Sequence, residues 1–371
     1  MADSTTGTDN VTRTNSSVNT SCQLSTEGFA IFAMVAYALI CTVGIILNSL
    51  AFWVYFCHIP NSNSIIIYLK NLVIADFLLV LSLPIKIVGG NQVGSAALRK
   101  IYCNFTSCIF YLNLYSSILF LGYIAATRYL KIVKPLKTYA FHKTKSAKII
   151  VGITWGVLLS LGFMYMLLTL RKSPQNSTST KATCLDFRKS SGIYWHICLH
   201  VGGTVLFLCV LTGLCFFYFQ TAKRLDKSPS PSSLKKQAKA KNNILILLAV
   251  FVVCFVPYHA ARLPYILSQI NVISGCFWKK TLYHLKESAV VLSTLNACFD
   301  PVIYFLFCKA FRSKLGLEKK PKDSDSHNDL SLHANTTHSV HDQSSSGHIK
   351  GAKESNINHL EPAIALDYSN Y

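Results

Sequence analysis

Residues 118–136 read ILFLGYIAATRYLKIVKPL. An apolar run fit for hydrocarbon stops at Thr127-Arg128-Tyr129, and Lys131 and Lys134 follow. A charge at the bilayer centre costs about 2.5–3.5 kcal/mol on insertion scales. Near an interface the long stem of an arginine reaches back to water and the cost falls. The stretch therefore reads as the end of a membrane span. Arg128 is either an interface anchor, like the lysines after it, or a functional charge.

The rest of the chain supports a membrane reading. Its 371 residues are 51% hydrophobic and 14% charged, with mean hydropathy +0.35, too apolar for an ordinary soluble protein. The formal net charge of +20 suggests nucleic acid at first sight. The bases lie between long apolar runs, however, so membrane lipids are the expected partner and nucleic acid is not. A helical crossing needs about 20 apolar residues. Seven runs qualify, at 29–56, 65–89, 104–130, 148–170, 193–219, 243–268 and 284–307. Runs of this length satisfy their own backbone hydrogen bonds as helices, not as barrel strands. The expected fold is an all-α membrane protein, a seven-transmembrane helix bundle. Residues 1–28 form a polar tail, 29–318 the membrane domain, and 319–371 a Ser-, His- and Asn-rich tail expected to be disordered. The segment DKSPSPSSLKKQAKAKNN (226–243) reads as a flexible basic loop.

Lys and Arg in the connecting segments set the orientation. They cluster after span three (Lys131, Lys134, Lys137, Lys143), after span five (Lys223, Arg224, Lys235, Lys236) and after span seven (Lys309, Arg312, Lys314). These segments are expected in the cytoplasm, with the N-terminus outside and the chain in the plasma membrane. Glycosylation triplets at Asn10, Asn15, Asn19 and Asn176 fall on the outer side. Asn104 opens span three, too near the membrane for modification, and Asn335 is on the inner side. Residues 1–28 lack a cleavable apolar signal, so span one is expected to direct its own insertion.

Most of the 13 cysteines lie inside spans as small hydrophobes. Cys22, Cys103, Cys184 and Cys276 stand apart on the oxidising outer side, where disulfides persist. Four cysteines allow three pairings. Joining Cys103 to Cys184 closes about 80 residues, worth roughly 4–5 kcal/mol in a chain-entropy estimate.

Enzyme motifs are missing: no H-E-x-x-H, no G-x-S-x-G, no Gly-rich phosphate loop before a lysine. The histidines read as scattered, without metal-ligand spacing. A transporter or channel, the other membrane class considered, calls for internal repeats or matching broken helices in two halves, and none is visible.

Each span also carries a mark. They are Asn48, Leu72-Val-Ile-Ala-Asp76, Cys103 through Arg128, Trp155, Tyr218, FVVCFVPYH (251–259), and Asp300-Pro301-Val-Ile-Tyr304 followed by an amphipathic Phe311-Arg312 turn. In this order and spacing, over about 29–318, they resemble the rhodopsin-like G protein-coupled receptors. IIIYLKNLVIADFLL, CFVPYHAARLPYILSQ and LKESAVVLSTLNACFDPVIYFLFCKAFR resemble the purinergic-receptor-like branch. Two stretches, GFMYMLLTLRKSPQNSTS and SQINVISGCFWKK, are more similar to lysophosphatidylserine receptors, whereas Lys286 beside Glu287 is what nucleotide receptors show.

The resemblance implies a short amphipathic helix after span seven and a G-protein switch at Arg128 and Tyr129. An acid usually precedes that arginine and holds it at rest. Thr127 stands there instead, so the resting lock is expected to be weaker. Asp76, Ser117 and Asn296 match a sodium pocket, the one cofactor expected, and Asp300 adds a second carboxylate able to share a proton with Asp76. Phe255 matches a toggle, Pro257 must kink its helix, and Tyr218 and Tyr304 are expected to swing inward on activation. Arg262 and Lys286 are bases inside or near the membrane and so ligand candidates. Tyr111, Tyr115, His259, Tyr265 and Glu287 are expected to complete a pocket between spans three, five, six and seven. The expected ligand is an anionic phosphate-bearing molecule, a lysophospholipid such as lysophosphatidylserine, with a nucleotide or nucleotide-sugar as the alternative. Partners implied are an inhibitory heterotrimeric G protein, arrestin and receptor kinases. Cys308 reads equally as a palmitoylation site or a buried helix-end thiol.

Overall fold

A computed structural model describes residues 27–90, 101–133, 143–170, 190–225 and 231–314, with the connections at 54–63, 270–275 and 295 included. The expectations for Cys22, Cys184, Asn10, Asn15, Asn19, Asn176 and the 319–371 tail fall outside these residues. The chain divides into two compact units, Met1–Tyr304 and Phe305–Tyr371.

The helices are α1 (Glu27–Trp53), α2 (Ser64–Gly90), α3 (Ser107–Val133), α4 (Thr144–Leu170), α5 (Ser190–Leu225), α6 (Pro231–Gln269), α7 (Cys276–Thr294), α8 (Asn296–Phe307) and α9 (Lys309–Lys314). A π turn extends α1 over Val54–His58, and another precedes α3 over Tyr102–Thr106, with Cys103 and a buried Asn104 in it. Among the described residues seven helical stretches are long and apolar enough to cross a bilayer, α7 and α8 together making the seventh.

The distribution of residue types is inverted relative to a soluble bundle. Ile149, Ile153 and Val157 of α4 recur every fourth residue and are more than half exposed, an apolar stripe at helical spacing that suits lipid. Polar Asn48, Asp76, Asn113, Ser117, Asn296 and Asp300 are buried instead. α3 is the hub, packing against α2, α4, α5 and α6. α1 and α2 approach closely at Gly44, where a Cβ would lie 2.8 Å from Val80 Cγ2.

A proline lies at the break between α7 and α8. Pro301 has no N–H to give the carbonyl four residues back. That carbonyl, of Ala297, accepts the Asn48 side-chain amide at 2.8 Å instead. Asn48 thereby ties α1 to the break between α7 and α8. Pro257 and Pro264 both lie inside α6.

Two expectations are corrected. The segment 226–243 is not a loop throughout, because α6 begins at Pro231. Proline suits a first helical position, having no N–H to leave unpaired, and Leu, Lys, Gln and Ala after it are good helix formers. Span seven begins at Cys276, not 284, so Cys276 belongs to the helix rather than to the preceding loop. Cys276 is disulfide-bonded. In the second unit, Phe311 is buried while Ala310, Ser313 and Lys314 are exposed, which makes α9 the expected amphipathic turn. Cys308 is a free thiol, 5% exposed, as a helix-end thiol would be.

Candidate ligand site and signalling core

Arg262 organises one end of the bundle. Its Nη2 donates to the Tyr111 hydroxyl at 2.9 Å, and its Nε donates to His200 Nε2 at 3.3 Å. Nη2 also lies 3.0 Å from His196 Nε2 and 3.2 Å from His200 Nε2. A guanidinium can only donate, so His200 accepts at Nε2 and carries its ring proton on Nδ1; His196 Nε2 lies 3.0 Å from Nη2 and 3.1 Å from His200 Nε2. The arrangement joins α3, α5 and α6. His196 and His200 are 5% and 4% exposed, and neither was expected as a site residue. Their four-residue separation puts both on one helix face.

A second group adjoins the first. Lys286 Nζ is paired with Glu287 Oε1 and lies over the rings of Tyr265 at 4.8 Å and Tyr283 at 5.0 Å. Arg262 faces the same Tyr265 ring at 5.8 Å. Lys86, not anticipated, stands over Tyr37 at 4.2 Å and Phe110 at 5.1 Å. The charges of Glu287 and Lys286 both act on it. Three bases and one acid thus converge, and a net positive site of this kind suits an anion. Lys86 was discoverable by the rule that flagged Arg262, a base within an apolar run.

His259 and Tyr115 complete the set. Thr204 Oγ1 donates to His200 O at 2.8 Å and lies 3.3 Å from His259 Nδ1. With its proton committed, Thr204 accepts from Nδ1–H. His259 Nε2 and the Tyr115 hydroxyl are both buried without a protein hydrogen-bond partner, and their rings are 6.3 Å apart.

A cavity with a volume of about 420 Å³ lies between α3, α4 and α5. Leu112, Leu119, Leu158, Leu161 and Leu206 make it largely apolar, while Tyr111, His196 and His200 meet it on the Arg262 side. The tyrosines and leucines of α3 point toward α4 and α5 there, so the open space falls on that side of α3. Gly203 permits part of this packing, since a Cβ on it would lie 2.0 Å from the Tyr115 hydroxyl. Gly203→Ala is expected to destabilise by about 1–3 kcal/mol through overpacking. Gly202→Ala, whose Cβ would meet nothing within 4 Å, is expected to be neutral. Melting temperatures of the purified receptors check both.

Aromatic rings lead inward from this site. His259 stacks on Phe207 at 4.2 Å, Phe207 on Phe251 at 5.5 Å, and Phe251 meets Phe255 at 5.1 Å. Phe255 is wholly buried, two residues before Pro257. In the middle of the bundle, Asp76 accepts from Asn113 Nδ2 at 2.9 Å and from the Tyr304 hydroxyl at 2.6 Å. Asn296 Nδ2 donates to Asp300 Oδ2 at 2.7 Å. Ser117 Oγ, Asn296 Oδ1 and Asp300 Oδ1 are buried oxygens without a protein donor.

At the opposite end, Thr127 is buried and its hydroxyl donates to Tyr123 O at 2.7 Å, within its own helix. Arg128 is half-buried beside it. Tyr129 stacks on Phe217 at 4.8 Å, and Lys241 lies over Tyr218 at 6.0 Å. Tyr218 and Tyr304 are therefore engaged with different partners in this conformation.

A family model described as 7 transmembrane receptor (rhodopsin family) matches residues 47–304. The chain is 37% identical over 282 residues to purinoceptor 14 of Bos taurus, covering 75% of this chain and 82% of that protein. It is 35% identical over 286 residues to G-protein coupled receptor 87 of Mus musculus, covering 76% and 78%. To G-protein coupled receptor 171 of Rattus norvegicus it is 33% identical over 302 residues, covering 81% and 90%. With seven crossings, a buried polar centre and these relatives, the chain is a multi-pass membrane receptor, not an enzyme, and belongs to the rhodopsin family of G protein-coupled receptors in its purinergic-receptor-like branch.

Proposed function

We propose that this receptor binds an extracellular lysophospholipid of the lysophosphatidylserine type and activates an inhibitory heterotrimeric G protein. One observation carries the reading: the apolar cavity between α3, α4 and α5 adjoins the Arg262 cluster. An acyl chain suits the cavity, whose size is that of a small-molecule site. A phosphate suits the guanidinium fork. The phosphoserine headgroup carries two anionic groups and one ammonium, which matches the bases Arg262, Lys86 and Lys286 with the acid Glu287.

The second reading is a nucleotide or nucleotide-sugar. It is favoured by the relative named a purinoceptor and served by the same bases, but it leaves the apolar cavity without a role. The test is inhibition of cAMP in cells expressing the receptor, with and without pertussis toxin, against lysophosphatidylserine and a nucleotide panel. A toxin-sensitive lipid response supports the first reading, and a response to nucleotides alone replaces it with the second.

In the same reading, ligand contact at His259 reaches Phe255 and the Pro257 kink through the Phe207–Phe251 stack. Arg128 receives the G protein at the other end. Ser117, Asn296 and Asp300 present the hard oxygen chemistry a sodium ion takes, beside Asp76. Thr127 carries no charge with which to hold Arg128, so ligand-free signalling is raised. Thr127→Asp supplies that charge, and an interface ion pair is worth about 0.2–1 kcal/mol. Basal cAMP inhibition at equal surface expression is therefore expected to fall by up to about fivefold. Unchanged basal signalling would sink the lock hypothesis.

A further inference from the structure

We propose that Tyr115 and His259 form a subsite for a free hydroxyl group of the ligand, so that the receptor selects a lysophospholipid over its fully acylated and 2-deoxy forms. The source of that hydroxyl, the glycerol, rests on the lysophospholipid reading above. Thr204 Oγ1 donates its only proton to His200 O at 2.8 Å, so the ring is the donor in its 3.3 Å contact with His259 Nδ1. His259 is 4% exposed, and no carboxylate pairs with it among the described residues. A buried imidazole without such a partner is neutral. Its proton is therefore on Nδ1, and Nε2 is a bare acceptor on the other side of the ring.

Neither His259 Nε2 nor the Tyr115 hydroxyl has a hydrogen-bond partner among the described residues, and both atoms are buried. The two rings stand 6.3 Å apart, one on α3 and one on α6. Both are held in place. His259 stacks on Phe207 at 4.2 Å, and the Tyr115 hydroxyl rests against α5 at Gly203, where a Cβ would lie 2.0 Å from it. Leaving either buried group unpaired is costly. The pair calls for one group that accepts from the phenol and donates to the imidazole. A phosphate, carboxylate or ester oxygen can only accept, and an ammonium can only donate. A hydroxyl does both.

Position selects which hydroxyl. Tyr115 follows Tyr111 by four residues on α3, and His259 precedes Arg262 by three on α6. The pair thus lies one helical turn further into the bundle than the Arg262 cluster. Tyr115 also lines the cavity of about 420 Å³. With the phosphate on Arg262 and the acyl chain in the cavity, the atoms between them are those of glycerol, and its free hydroxyl falls at the pair. Acylation turns that hydroxyl into an ester, which cannot donate to Nε2. In a nucleotide the same chemistry comes from the ribose.

The test compares, in cells expressing the full-length receptor, the potency of lysophosphatidylserine for cAMP inhibition with that of its 2-deoxy and 2-O-methyl analogues. Wild type is expected to favour the free hydroxyl over both by about 10- to 100-fold. Tyr115→Phe and His259→Phe, at matched surface expression, are each expected to bring that preference to within about threefold. A side chain with only a packing role lowers all three potencies together and keeps the preference, and that result overturns the subsite. Equal potencies in wild type also overturn it, since the pair then holds water only, and this arm needs no variant. If the cells answer to nucleotides alone, the lysophospholipid reading fails on its own, and the comparison is made with 2′- and 3′-deoxynucleotides. A deoxy penalty that both variants erase carries the subsite over to ribose, and its absence overturns the subsite.

Discussion

Arg262→Ala, at matched surface expression, is expected to lower the potency of an anionic agonist by roughly 30-fold to several-thousand-fold, about 2–5 kcal/mol. The size follows from burial and from the number of contacts at stake. The guanidinium is held by Tyr111, His196 and His200 from two other helices, so it is presented to the ligand already oriented. Truncation removes a fixed, desolvated fork and leaves the ligand's anion unpaired. Arg262→Lys restores the charge but not the fork, and is expected to recover only part of the loss. Lys286→Ala is expected to cost no more than about tenfold. Its charge is already paired with Glu287, and the two side chains are 12% and 21% exposed. Concentration–response curves for the variants measure these effects. A full response in Arg262→Ala contradicts the anchor assignment.

The next largest effect is expected from filling the cavity. Leu158 on α4 and Leu199 on α5 both line it, and Leu158 is 7% exposed. Tryptophan at either position occupies volume that an acyl chain would otherwise take. Each methylene shut out costs about 0.8 kcal/mol, so excluding two to four lowers the potency of a long-chain lysophospholipid by roughly 10- to 200-fold. A short-chain analogue is expected to change far less, because its tail never reaches the filled region. Nucleotides are expected not to change at all. Long- and short-chain potencies that fall together would place the tail elsewhere.

The seven spans were legible because each apolar run is long enough to need no help from its neighbours. Their ends were less so. Residues 276–283 carry Lys279, Lys280 and the start of a polar run, which hid a helix that continues the span. Pro229, Pro231 and the serines of 226–243 outweighed the helix-forming Leu234 to Lys241. Arg262 stood out because a buried base is costly and its residue type alone signals it. Lys86 obeyed the same rule and was overlooked. His196 and His200 sit in WHICLHV, an apolar stretch in which nothing local marks them as partners of Arg262. The cavity was not legible at all. It exists because three consecutive helices leave space between them beside α3, with Gly203 yielding to Tyr115, and no local pattern records that.

The central claim is that headgroup and tail occupy the Arg262 cluster and the adjoining cavity at the same time. The most direct measurement is photo-crosslinking with a lysophosphatidylserine bearing a photoreactive group at the end of its acyl chain, followed by mapping of the labelled peptides. Label is expected on the lining segments of α4 and α5, Ile153–Gly162 and Cys198–Leu206, and is expected to be lost in Arg262→Ala. Label confined to α6 and α7, or persisting undiminished without Arg262, contradicts the account.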